Sequence, residues 1–196
     1  MSISLLMKIN DNLITATLFH REQSDLMSFL SLRGFSELHE HQYSSESMIQ
    51  RKVKHFLIRT YCVAPLDFIP ESADVLKPLI GGKKRNELSS DDKCDIVKRS
   101  FRAYSDWEKS SLELYESVAK ELASSGDIKA YSVAKCIVDD VAEELAMVND
   151  MINSYALMNW DMAQIVGEQS ELAEKYIYKT RKLYKGYPEL HHFNSI

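Results

Sequence analysis

Apolar residues recur at helical spacing along most of the chain, in four long stripes separated by breaks rich in polar residues, glycine or proline. The first stripe, Ile9, Leu13, Ala16, His20, Met27 and Leu30, predicts a helix from about residue 4 to Leu32, closed by Arg33-Gly34. The second, Phe35, Leu38, Gln42, Glu46, Ile49, Val53, Phe56 and Thr60, predicts a helix reaching Cys62. So short a turn between them makes an antiparallel hairpin. Helical pattern resumes after Ser89-Ser90-Asp91-Asp92, whose hydroxyls and carboxylates suit the positive end of a helix. It continues through Val97, Phe101, Tyr104, Glu108, Leu112, Tyr115, Ala119 and Leu122. Ser124-Ser125-Gly126-Asp127 ends that helix and caps the next, whose stripe is Val133, Ile137, Asp140 with Val141, Glu144, Val148, Met151 and Tyr155. A second hairpin results. Beyond Trp160-Asp161 a weaker amphipathic helix extends to about Tyr184, and GYPELHHFNSI forms a loose tail.

Between the hairpins, Pro65, Pro70 and Pro78 are followed by Gly81-Gly82 and Lys83-Lys84-Arg85. Such a stretch is a long connection, able to span a bundle and so to let the second and third helices run parallel. The predicted architecture is all-α: a four-helix bundle over about 4–158 with one long crossover, and an extra C-terminal helix and tail over about 160–196. Both belong to a single domain covering 1–196.

Composition narrows the class. With 45% apolar and 27% charged residues, 196 residues suffice for one domain with a continuous core, and only 6 glycines and 4 prolines favour long uninterrupted helices. A net charge of −5 and a pI near 5.7 argue against nucleic acid as a partner, because nonspecific affinity for it comes largely from lysine and arginine. Lys83-Lys84-Arg85 is too small for such a platform and reads as a solvated loop. No segment approaches the roughly 20 apolar residues of a membrane span, and MSISLLMKIND lacks the basic start of a signal peptide. Cys62, Cys94 and Cys136 form no CxxC pair and suggest neither a disulfide framework nor a thiolate zinc site. A cytoplasmic protein fits these features.

Glutamate belongs on the wet face of an amphipathic helix, yet Glu46, Glu108 and Glu144 each sit inside the apolar stripe of a different helix. Burying an ionised carboxylate costs several kcal/mol unless it is paired, protonated or bound to a cation. Three converging on one core favour capture of a positive ion, most naturally a metal that takes oxygen ligands. Asp140, one turn before Glu144, can join them. The plainer alternative leaves these acids near helix ends, reaching solvent.

The stretch from Gly34-Phe35 through His41-Gln42-Tyr43-Ser44-Ser45-Glu46 resembles the ferritin segment in which a glycine-containing turn leads to Gln-x-x-Glu-Glu-x-x-His. Trp107-Glu108 through Gly126-Asp127 to Val141-Ala142-Glu143-Glu144 is similar to the ferritin pattern of a glutamate followed by Gln-x-x-Glu. The resemblance covers about residues 10–158 and implies a ferritin-like four-helix bundle. It also implies a homo-oligomer that binds iron or another divalent cation, for storage or slow oxidation. Carried over position by position, Glu46, Glu108 and Glu144 remain, the first as the family's bridging carboxylate. Leu13 and Ile49 stand where a glutamate and a histidine belong, Val141 replaces the glutamine, and His20 takes the place of a tyrosine. Glu46, Glu108 and Glu144 would make half of a di-iron centre, to which Asp140 and His20 are added as candidate metal residues, and the missing ligands argue against rapid ferroxidase chemistry. The competing reading is a metal-free ferritin fold serving as an assembly or interaction module, its carboxyls protonated, solvated or paired with His20.

Other groups weigh less. His39-Glu40-His41 reads as solvated surface, since positions i and i+2 diverge on a helix. His191-His192 lies in the tail. Tyr104, Trp107 and Tyr115 read as core packing near Glu108.

Overall fold

The computed structural model describes residues 1–65 and 80–185. Five long helices account for most of them: α1 (Ser2–Phe29), α2 (Arg33–Tyr61), α3 (Ser90–Ser125), α4 (Ile128–Leu157) and α5 (Met162–Lys185). The helix boundaries follow local chemistry. At the start of α3, Ser89 Oγ accepts from the Asp92 amide and the Asp92 carboxylate accepts from the Ser89 amide, a reciprocal cap. Asp127 caps α4 by accepting from the Ala130 amide, after Gly126 has taken the left-handed conformation that closes α3.

Two hydrophobic clusters fix the topology. One holds Leu6 and Ile9 of α1 with Val53 and Leu57 from the end of α2, Val118 and Leu122 from the end of α3, and Ala130 and Ala134 from the start of α4. The other gathers Leu26 and Met27 of α1 with Phe35 and Leu38 from the start of α2, Val97 and Phe101 from the start of α3, and Val148 and Tyr155 from the end of α4. Consequently α2 and α3 run parallel, and the end of α2 and the start of α3 lie toward opposite ends of the bundle, about 40 Å apart for a 29-residue helix. The path of the connection over residues 66–79 and the tail 186–196, with His191-His192, lie outside the described residues. The Tyr61 hydroxyl, donating to the Asp127 carboxylate, ties the end of α2 to the start of α4.

One expected boundary is corrected. Arg33-Gly34 does not close α1; it begins α2. The turn is made earlier, where Ser31 adopts a positive φ and the amides of Ser31 and Leu32 bond back to the carbonyls of Ser28 and Met27. Gly34 is needed for a different reason. Helix α5 crosses α2 there so closely that an added Cβ would stand 2.7 Å from Leu172 Cβ and 2.8 Å from the Gln169 carbonyl oxygen. Gln169 also accepts from the Phe35 amide, capping α2 from the neighbouring helix. Farther along, His41 meets Thr180 and Ser44 meets the Tyr184 hydroxyl, so α5 lies along the outer face of α2. No helix among the described residues is long and apolar enough to cross a membrane.

Replacing Gly34 with alanine improves helix propensity by about 1 kcal/mol but forces backbone and Cβ contacts apart, at a cost of about 1–3 kcal/mol. The expected result for Gly34→Ala is a lowered melting temperature with earlier proteolytic cleavage within α5. A variant as stable as the parent would show that the α2–α5 contact yields freely.

Candidate metal centre

Between the two hydrophobic clusters the bundle interior carries a polar layer. His20 of α1, Glu46 of α2 and Glu108 of α3 are at most 3% exposed, and the Glu144 side chain of α4 is 13% exposed. Each comes from a different helix, and each sits at the inward position that its stripe dictates. His20 Nε2 faces Glu108 Oε1 at 3.4 Å and Glu144 Oε1 at 3.8 Å. One ligand atom from each of these three residues lies within 4.8 Å of the others. The Tyr104 hydroxyl donates to Glu144 Oε1 at 2.6 Å and accepts from Gln42 Nε2 at 3.0 Å, which orients that carboxyl. Three atoms of the layer are buried without a hydrogen-bond partner: His20 Nε2, Glu46 Oε2 and Glu108 Oε1. Buried polar atoms are normally satisfied. Two hard carboxylate oxygens and an imidazole nitrogen are donors that a divalent cation such as ferrous iron accepts.

Burial and mutual repulsion set the protonation of the layer. Burial pushes Glu108 up to about 8. Burial, then the charge of Glu108, pushes Glu144 up to about 8, against the opposing pull of His20 and the Tyr104 hydrogen bond. Glu46 rises well above the carboxylate range, again from burial first and then from Glu144, Glu108 and Asp140. His20 falls to about 4 because burial outweighs the attraction of Glu144. In the absence of a cation the layer therefore holds its protons on the carboxyls and keeps the imidazole neutral near pH 7.

A cleft of about 450 Å³ between α2, α4 and α5 reaches Glu46 and Glu144 from outside. Asp140 is exposed in this cleft with Glu143, Lys52 and Lys179, so it stands at the mouth rather than within the group of three. Leu13, Ile49 and Val141 pack into the neighbouring hydrophobic cluster, and hydrocarbon fills the space on that side of the carboxylates.

His39 and His41 differ from expectation. The two rings do diverge, but both faces of α2 are covered. His39 is 1% exposed and its Nδ1 lies 3.1 Å from His20 Nδ1, inside the bundle. His41 packs under α5 against Thr180 and the Tyr176 ring, and burial lowers it to about 4. A signal for His39 existed: it precedes Glu46 by 7 residues, two turns along the same helical face. Tyr104 likewise does more than pack, since its hydroxyl joins Gln42 to Glu144.

Among solved structures the chain is similar to an open-pore ferritin from the hyperthermophilic archaeon Archaeoglobus fulgidus. The TM-score is 0.70 at 16% identity, over 88% of this chain and 95% of that one. An engineered closed form of the same ferritin gives 0.70 at 17% identity over 88% and 94%. A humanized archaeal ferritin gives 0.68 at 17% over the same shares. No family profile and no curated protein sequence matches the chain. The ferritin-like fold is thereby established.

These protonation states predict how stability follows pH once metal is chelated away. Between about 6.5 and 8 the unfolded chain has ionised its glutamates while the folded layer keeps its protons, so the folded state binds more protons. Stability then falls as pH rises, on the order of 1 kcal/mol per pH unit for each such group. Below 6.5 the buried neutral histidines oppose this trend, because the unfolded chain protonates them first. Melting curves in chelator are expected to peak near pH 6 and decline toward pH 8. A melting temperature that is flat or rising over that interval would contradict the buried, protonated layer.

Proposed function

We propose that this chain is a ferritin-like protein that binds one divalent cation, iron foremost, in its polar layer, for storage or slow oxidation. The observation that carries the reading is the set of partnerless buried atoms, His20 Nε2, Glu46 Oε2 and Glu108 Oε1, beside the Glu144 carboxyl. Carboxyls from Glu46, Glu108 and Glu144 with the imidazole of His20 would hold the ion, which supplies positive charge and, if iron, redox capacity. The chain's own part is to give up protons from the carboxyls as the cation arrives, so that ligands become anionic only when their charge is met. Tyr104 holds Glu144 in place during this exchange. Asp140 and Glu143 give the cleft mouth acids that draw cations inward, in competition with Lys52 and Lys179. The ferritin names of the similar structures support iron as the ion. We further propose a cytoplasmic, single-domain protein that associates as a homo-oligomer. Symmetric self-association is the common habit of such chains, and Ile128, Leu157 and Val166 expose apolar surface for it.

One cation per subunit is expected rather than two. Leu13, Ile49 and Val141 offer no lone pair, so a second ion beside the first would lack ligands and meet its charge. Anaerobic ferrous titration should saturate at one ion per chain; saturation at two would sink the proposal. Glu144→Gln removes an anionic ligand and should weaken ferrous binding about tenfold or more. The same change relieves repulsion in the chelated protein and should raise its melting temperature at pH 8 by about 2–4 °C. Both effects are required together.

Asp140→Asn tests the cleft. It should slow ferrous uptake in stopped-flow mixing at low salt by severalfold while leaving the saturating stoichiometry at one. Unchanged uptake would place the cation's approach elsewhere.

A further inference from the structure

An imidazole that ligates a cation through Nε2 must carry its proton on Nδ1, and a buried N–H requires an acceptor. For His20 that acceptor is unusual. Its Nδ1 lies 3.1 Å from Nδ1 of His39, a second buried imidazole on α2. The two rings stack at 5.4 Å and 30°, and the Tyr104 ring packs against both, 5.2 Å from His20 and 4.9 Å from His39. Both rings are buried, His20 completely and His39 to within 1%. Two neutral imidazoles meeting in this way share one proton, which leaves two arrangements. If His39 donates, His20 carries its own proton on Nε2, aimed at Glu108 and Glu144 and closed to a cation. If His20 donates, its Nε2 lone pair faces the carboxyls.

We propose that His39 is the positioning residue of the metal centre, its Nδ1 accepting the proton of His20 Nδ1 and thereby turning the Nε2 lone pair of His20 toward the ion. This rests on the metal-binding reading above. A backbone carbonyl, the ordinary partner of a ligating histidine, can only accept and would fix one tautomer for good. Histidine can accept or donate through the same nitrogen. With a cation present, the pair presents the lone pair of His20 Nε2 to it, and both buried rings stay neutral.

Zinc is a suitable diamagnetic probe. In zinc-loaded wild-type protein labelled with 15N-histidine, two-bond proton–nitrogen correlations should find the ring proton of His20 on Nδ1 and that of His39 on Nε2. A proton on His39 Nδ1 in the loaded protein overturns the proposal. His39→Asn keeps an acceptor at the δ position and should bind zinc within about threefold of wild type, whereas His39→Phe keeps a ring without an acceptor and should bind about 10–100-fold more weakly. Wild-type zinc affinity in His39→Phe ends the role of His39 alone. Failure of the wild-type protein to take up either zinc or ferrous ion ends the metal-binding reading, and the proposal with it. Should His39→Phe fail to fold, the wild-type tautomer measurement decides by itself.

Discussion

Carboxyl groups in the middle of a hydrocarbon core are the constraint around which this bundle is arranged. Clusters of leucine, isoleucine, valine and aromatic side chains close the interior toward both ends, and the polar layer is caught between them. Ionised, these acids would face both the loss of water and one another's charge, which favours the protonated form. The structure accommodates them by keeping Glu108 and Glu144 protonated to about pH 8, with His20 neutral between them. The resulting layer holds acceptors and removable protons in one place, which is the condition a cation site requires.

Helix α5 decides how that layer meets its surroundings. It crosses the start of α2 at Gly34, where no side chain intervenes, and then runs along a face that would otherwise be wet. The Tyr176 hydroxyl reaches Met147 of α4. In this way α5 roofs the gap between α2 and α4 and leaves a cleft leading to Glu46 and Glu144, lined by charges of both signs. The position of α5 thus governs the burial of His41.

The two sides of the layer differ in chemistry. Leu13, Ile49 and Val141 extend the hydrophobic cluster up to the carboxylates. On the opposite side His20 faces Glu108 and Glu144 and is backed by His39, Tyr104 and Gln42. The likeness is one of fold, and the chemistry of the layer has to be read from its own residues.

The helices and their order were legible from the sequence because apolar stripes at helical spacing, the Ser89–Asp92 cap and the proline-rich connection are local signals. Parallel α2 and α3 followed from the length of that connection. The inward direction of Glu46, Glu108 and Glu144 was also legible, since each interrupts its own helix's stripe and periodicity fixes which face a position occupies. What periodicity along one helix cannot carry is what lies across from it. Gly34 looked like a turn residue because glycine commonly ends helices, but its place is set by the close approach of α5, which a Cβ there would meet at 2.7 Å. His39 and His41 looked solvated because two faces of one helix cannot both meet a single neighbour. The fold supplies two neighbours, α1 inside and α5 outside, so both rings are covered. Distances between residues far apart in the chain, such as that from His20 to His39, exist only once the helices have packed, and tertiary structure alone decided them.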